Sequence, residues 1–271
     1  MAHLRCDVYS AVLGMSTSLE VILPDEGRLK DTPVIYLLHG LSDNCTGWCR
    51  YTAVERYARN RGAAVIMPEV QRSFYMDMAM GLDYFTYVQH ELPQICGRMF
   101  GLTARREKNF IMGLSMGGYG ALKCALANPR QYAGCAAFSA VTEVEKRAAG
   151  TEGKMRREFQ AILGPKLTVP PEASLRALLE KRKTSQLPRF FLTCGEQDAL
   201  YPENCRFAEA LENKGAAISF THWPGDHSWD LWDRSVELAM GAFLEKWDRM
   251  HILSQLWNKP ERLVIGLMSG T

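Results

Sequence analysis

The 271-residue chain has no run of about 18 consecutive apolar residues, the length a helix needs to cross a bilayer, which argues against a helical membrane span. The opening stretch Met1-Ala2-His3-Leu4-Arg5-Cys6-Asp7 lacks the apolar core of a secretion signal, so a cytoplasmic location is expected. Charge of one sign is missing too. A net +2 gives no field that would call for nucleic acid or an anionic membrane as partner. No internal repeat and no low-complexity tract is present, which sets aside solenoids and long disordered linkers. The eight cysteines are scattered. Cys45 and Cys49 form a C-x-x-x-C pair, but no second pair with metal-site spacing accompanies them, so free thiols are expected. His222, Asp226 and His227 lie close in sequence without the spacing of a helical H-E-x-x-H site, so neither a metal nor an organic cofactor is expected. What remains is an ordinary globular composition, 47% apolar and 23% charged, long enough for one large α/β domain.

The chain is organised around Ile111-Met112-Gly113-Leu114-Ser115-Met116-Gly117-Gly118, a G-x-S-x-G motif. An apolar strand pattern precedes it, and a helical pattern from Tyr119 to Asn128, closed by Pro129, follows. Strand, tight turn and helix are the setting in which this motif means a nucleophile elbow. Gly113 and Gly117 would allow strand and helix to approach closely, leaving Ser115 exposed at the C-terminal edge of a sheet. The helix N-terminus would face any developing negative charge, with the Met116 N–H as one oxyanion donor.

Eight strands are expected: residues 4–12, 16–23, 33–38, 63–67, 108–112, 135–138, 189–194 and 217–222. The first two, joined at Gly14, should be antiparallel. The continuous apolar run Val34-Ile35-Tyr36-Leu37-Leu38 reads as a strand buried on both faces, as in a parallel sheet. Helical patterns cover 52–61, 84–100 with a kink or break at Pro93, 202–214 and 229–247. Residues 141–188 are charged, helical in pattern and interrupted by Gly164-Pro165 and Pro170-Pro171, and read as a cap insertion. Alternating strands and helices imply an α/β fold, a mostly parallel eight-stranded sheet flanked by helices, over residues 1–247.

A serine hydroxyl needs a base, and the base needs an orienting group. In this architecture the partners follow as an acid and then a histidine, each in a loop after a late strand. Asp198 follows the strand at 189–194, with Glu196 in reserve and a helix-capping role as the alternative for Asp198. His227 lies after the strand ending at His222 and before the last helix, so it is the expected base. His222 ends a strand, His90 lies in a helical pattern, and His3 and His251 are near the ends of the chain. His39-Gly40-Leu41 follows the third strand, where a second oxyanion donor belongs. The Leu41 N–H is assigned to it, and the His39 imidazole to packing and hydrogen bonding. Trp48 and Tyr75, in loops near the expected mouth, are the candidate substrate-binding residues. Core packing is the alternative for these rings and for Phe74, Tyr84, Phe85 and Tyr87.

Taken together, several segments resemble the esterase D family of α/β-hydrolases. They are His39-Gly40-Leu41-Ser42-Asp43-Asn44 with Trp48, Pro68-Glu69 with Arg72-Ser73-Phe74-Tyr75, and Glu91-Leu92-Pro93. Gly113 through Ala121, Gly195-Glu196-Gln197-Asp198 and Gly225-Asp226-His227-Ser228-Trp229 complete the set. That family includes S-formylglutathione hydrolases, tributyrin-type esterases and feruloyl or acetyl esterases, with mycolyltransferases as distant relatives. The bacterial tributyrin-type enzymes are the nearest likeness. The resemblance implies an α/β-hydrolase fold and a serine carboxylic-ester hydrolase. It implies Ser115 as nucleophile, Asp198 as acid, His227 as base, and backbone donors at Leu41 and Met116. Short-chain acyl, phenolic or sugar esters are the expected substrates. S-formylglutathione hydrolysis is the rival reading, and acyl transfer or a non-catalytic binding module the more distant ones. The expected partner is a small-molecule ester, with self-association into a homo-oligomer left open.

The tail, residues 248–271, carries Ile265-Gly266-Leu267-Met268-Ser269-Gly270-Thr271, which resembles the opening strand and phosphate-side turn of anhydro-N-acetylmuramic acid kinases. It is too short to bind a nucleotide alone. The expectation is a kinase-like domain fused after residue 271.

Overall fold

The computed structural model describes residues 1–244. The tail and the fused-domain expectation drawn from it lie outside these residues, as do the last three positions expected for the final helix. Eight strands form one sheet: β1 Ala2–Ser10, β2 Met15–Leu23, β3 Val34–Leu38, β4 Ala64–Pro68, β5 Asn109–Leu114, β6 Gly134–Phe138, β7 Arg189–Gly195 and β8 Ile218–Trp223. Their order is β1-β2-β4-β3-β5-β6-β7-β8. β1 pairs antiparallel with β2, β2 antiparallel with β4, and every later pairing is parallel. The alternation of strands and helices announces the parallel core. The exchange of β3 and β4 in the order is a tertiary result that sequence alternation does not contain.

Helices cover both faces: α1 Gly47–Tyr51, α2 Val54–Arg61, α3 Tyr84–Thr86, α4 Leu92–Phe100, α5 Met116–Ala127, α6 Val144–Ala149, α7 Gly153–Leu163, α8 Leu175–Lys181, α9 Tyr201–Asn213 and α10 Trp229–Leu244. Because side chains alternate along a strand, Val34, Tyr36 and Leu38 of β3 enter one core and Ile35 and Leu37 the other. The first core lies under α4, α5, α8 and α9; the second lies under α2 and α10.

The pattern at 52–61 resolves into α1 and α2. Asp233 of α10 makes the break: its Oδ1 accepts the Ala53 N–H (2.8 Å), supplying an acceptor where α2 begins. The pattern at 84–100 is interrupted by a π turn, Tyr87–Glu91, and Pro93 falls in the first turn of α4, where its missing N–H does no harm. The turn carries Glu91 to the β1–β2 hairpin, where its carboxylate accepts the Ala11 N–H (2.7 Å) and the Ser10 hydroxyl.

Residues 141–188 form α6, α7 and α8 with connecting turns. They explain why α5 is buried all round, Met116 to Leu126, rather than on one face. α8 packs on its outer side, and the Tyr119 hydroxyl donates to the Ala173 carbonyl (2.7 Å). Among the described residues, no helix is long and apolar enough to cross a membrane.

Candidate active site

Between Asn109 and Leu126 every residue is buried except Ser115. Its backbone is strained, with φ 51° and ψ −115°, a region side chains rarely adopt. The surroundings enforce it. The Ser115 N–H donates to the Phe138 carbonyl (2.8 Å), and the Ser115 carbonyl accepts from Val141 (3.2 Å) and Tyr119 (3.1 Å). The flanking glycines are obligatory: a Cβ on Gly113 would lie 2.4 Å from the Gly117 carbonyl oxygen, and one on Gly117 2.5 Å from that of Leu38. The turn between β5 and α5 therefore has only one way to pack, and it presents the serine.

The three side chains singled out for chemistry meet here from three separate loops. Ser115 Oγ lies 3.1 Å from His227 Nε2, and His227 Nδ1 lies 2.7 Å from Asp198 Oδ2. Asp198 is almost fully buried, which pushes its carboxyl upward. Hydrogen bonds from His227, the Leu200 N–H (2.9 Å) and Ser139 outweigh burial, and the net shift is downward. The acid is thus held as a carboxylate. Nδ1 must then carry the proton, and Nε2 presents its lone pair to the serine hydroxyl. The imidazole is partly exposed and meets Trp232 edge-to-face, with ring centroids 4.8 Å apart. Glu196, the reserve acid, is engaged elsewhere: its Oε1 lies 2.9 Å from His222 Nδ1.

One supporting residue escaped the sequence reading. Ser139, fully buried at the end of β6, has φ 44° and hydrogen bonds to Asp198. A serine closing an apolar strand carries no outward sign of this; only a backbone angle gives it away.

His39, Gly40 and Leu41 form the loop after β3. The Gly40 carbonyl can only accept, so His39 Nδ1, 2.8 Å away, carries the proton; Nε2 accepts the Val70 N–H (3.2 Å). Burial lowers the His39 pKa against the opposing pull of Glu69, and the ring stays neutral. A trans peptide points its C=O and N–H in opposite directions. Holding the Gly40 carbonyl therefore aims the N–H on the same plane, that of Leu41. Met116 opens α5, so its N–H has no partner within the helix.

Trp48 and Tyr75 occupy a different place from the one expected. Both are fully buried, so neither ring faces a substrate. The Trp48 indole donates to the Leu38 carbonyl (3.0 Å) and the Tyr75 hydroxyl to the His39 carbonyl (3.0 Å). Each braces the loop after β3 from behind. Phe74, Tyr84 and Tyr87 are buried likewise, while Phe85 lies under the Lys123 ammonium, 4.1 Å from its ring centroid. All eight cysteines are unpaired. Among the described residues, no group of three or more His, Cys, Asp or Glu is arranged to hold a metal ion.

Known proteins carry the same organisation. The sequence model of the Esterase family matches residues 10–242. An acetyl esterase of Caldicellulosiruptor saccharolyticus is 29% identical over 258 residues, covering 88% of this chain and 97% of that protein. Among solved structures, the fluorophosphonate-binding serine hydrolase FphF of Staphylococcus aureus superposes with a TM-score of 0.84 at 34% identity. The S-formylglutathione hydrolase FrmB of the same organism does so at 0.81 and 34%. Each of these two likenesses covers 90% of this chain and 99% of the other. The chain belongs to the Esterase family; it has the α/β-hydrolase fold and is an esterase-type hydrolase.

Proposed function

From this family membership we propose a serine carboxylic-ester hydrolase in which Ser115 is the nucleophile, His227 the base and Asp198 the acid that orients it. The observation that carries this is the unbroken line of hydrogen bonds Ser115 Oγ–His227 Nε2 and His227 Nδ1–Asp198 Oδ2. His227 takes the hydroxyl proton as Ser115 attacks the ester carbonyl carbon. The carbonyl oxygen becomes an oxyanion facing the N–H groups of Leu41 and Met116 and the N-terminus of α5. The imidazolium, stabilised by Asp198, returns its proton to the departing alcohol. Water then attacks the acyl-enzyme with His227 again as base, and the acid leaves with Ser115 restored. Each fixed donor is worth about 3 kcal/mol at this oxyanion.

The similarity to an acetyl esterase supports a short acyl group as substrate. The similarity to an S-formylglutathione hydrolase supports a second reading, cleavage of a glutathione thioester by the same steps. Eight unpaired thiols support a reducing compartment, and hence a cytoplasmic location.

The test is hydrolysis of p-nitrophenyl esters from acetate to octanoate, methyl ferulate and a glutathione thioester by wild type and Ser115→Ala. Activity highest on the short esters, and lower by roughly 10⁴–10⁶-fold in the variant, is expected. Cleavage of the thioester alone moves the assignment to the second reading. A folded wild type inactive on all of them refutes both.

A further inference from the structure

Three of the six non-glycine residues with positive φ among the described residues, Gln71, Phe74 and Tyr75, fall within five positions of one loop. Strain of that density persists only where surrounding contacts enforce it. The loop leans on the proposed oxyanion site through Val70, Tyr75 and Arg72, and on the insertion through α7. Phe74 packs against Phe159 of α7, ring centroids 4.8 Å apart. The Ala79 and Met80 N–H groups donate to the carbonyls of Ile162 and Ala161 at the end of that helix (both 2.9 Å). Arg72 spans both sides. Its Nη1 donates to the Leu41 carbonyl (3.1 Å), while Nε and Nη2 fork onto the two oxygens of Glu158 on α7 (3.1 and 2.8 Å).

We propose that Arg72 is a positioning residue for the Leu41 oxyanion donor, and that Glu158 holds Arg72 in place, so that helix α7 of the insertion helps to set the rate of the reaction. This rests on the esterase reading above. The geometry gives the reason. Two peptide planes flank the Leu41 Cα. His39 fixes the first through the Gly40 carbonyl, and Arg72 fixes the second through the Leu41 carbonyl. With both planes held, the two soft dihedrals of Leu41 are set and its N–H cannot swing. Only a planar, multidentate cation can bond a carbonyl on one edge and a carboxylate on another. Lysine, with a single ammonium, holds one partner well or neither. The side chain of Arg72 is 41% exposed, so this ion pair adds little to stability. Its effect should appear in catalysis instead.

The experiment compares wild type with Arg72→Ala, Arg72→Lys, Glu158→Ala and Arg72→Ala/Glu158→Ala on p-nitrophenyl acetate. It follows the acylation burst, kcat, KM, thermal midpoint and the affinity of a trifluoromethyl ketone, whose adduct with Ser115 places an oxyanion in the site. Arg72→Ala should lower kcat roughly ten- to a hundredfold and weaken the ketone by a like factor, because acylation and deacylation both pass through an oxyanion. KM should change by less than about twofold and the melting midpoint little. Arg72→Lys should recover part of the loss. Glu158→Ala should lower kcat less than Arg72→Ala and add nothing in the double variant. Unchanged kcat in Arg72→Ala, a loss confined to KM, a kcat loss without loss of ketone affinity, or a Glu158 effect undiminished in the double variant overturns the proposal. An inactive wild type would instead refute the esterase reading, so the two failures are distinguishable.

Discussion

The elbow at Ser115 and the loop carrying His227 hold the two ends of one hydrogen bond, yet they are built in opposite ways. On the elbow side β3, β5 and β6 are buried along their whole length, backbone carbonyls leave no space for a side chain on Gly113 or Gly117, and the nucleophile is held in a strained conformation. On the other side β8 is half-exposed at the edge of the sheet, and the loop after it is largely open to solvent. There His227 is fixed mainly by a hydrogen bond to Asp198 and by contact with Trp232. The difference suits the two tasks. Oxyanion donors and nucleophile act by staying where they are. The imidazole must face the serine, then the leaving group, then water, and a ring with room at its edge can do so. Fold and chemistry are therefore inseparable at the elbow and separable at the histidine.

The sharpest way to break that comparison is Asp198→Asn. It should lower kcat/KM by about 10⁴-fold, because the amide favours the wrong imidazole tautomer. Its cost in stability should be only about 1–2 kcal/mol, since Asn still has an oxygen to accept the Leu200 N–H. Ester hydrolysis alongside urea unfolding measures both. A stability loss as large as the catalytic one would place the acid within the elbow's regime. Gly117→Ala should behave in the reverse manner. Its Cβ, 2.5 Å from the Leu38 carbonyl oxygen, must displace β3 or α5, costing about 3 kcal/mol in unfolding free energy and lowering activity with it. A variant with wild-type stability would show that the elbow has slack.

A smaller effect sharpens the same point through pH. His39 is buried and neutral, with its pKa lowered from an ordinary 6.5. Below that value unfolded chains take up a proton that the folded chain resists. Its contribution is complete above about pH 6.5 and is lost as pH falls further, by at most about 1.4 kcal/mol per pH unit. Unfolding free energies at about pH 7.5 and 5.5 should fall more steeply in wild type than in His39→Asn. Equal slopes would mean that His39 is not protected from protonation.

The elbow, the acid and the base were legible because each follows from local pattern: glycine spacing between strand and helix, and a polar residue just past a late strand. The loop after β3 was legible for the same reason. Trp48 and Tyr75 were not, because an aromatic side chain near a mouth and one buried behind it look alike in sequence; a single indole N–H or phenol O–H decides, and its partner is tertiary. Arg72 and Glu158 stand 86 positions apart and belong to segments that read as a loop and an insertion. No periodicity links them. Ser139 is invisible for a third reason, since its contribution depends on a left-handed backbone at a residue that is not glycine.

The π turn at Tyr87–Glu91 makes chain length itself a constraint. Such a turn accommodates one residue more than a continuous α-helix would. Deleting any one residue there would let the helix run on unbroken, rotating everything beyond it by about 100° and drawing it back by about 1.5 Å. Leu92, Ile95 and Cys96, which now form the buried stripe of α4, would turn away from the sheet, and the carboxylate that ties down the β1–β2 hairpin would lose its register. Homologous chains should accept changes of side chain at these five positions more readily than a change in their number.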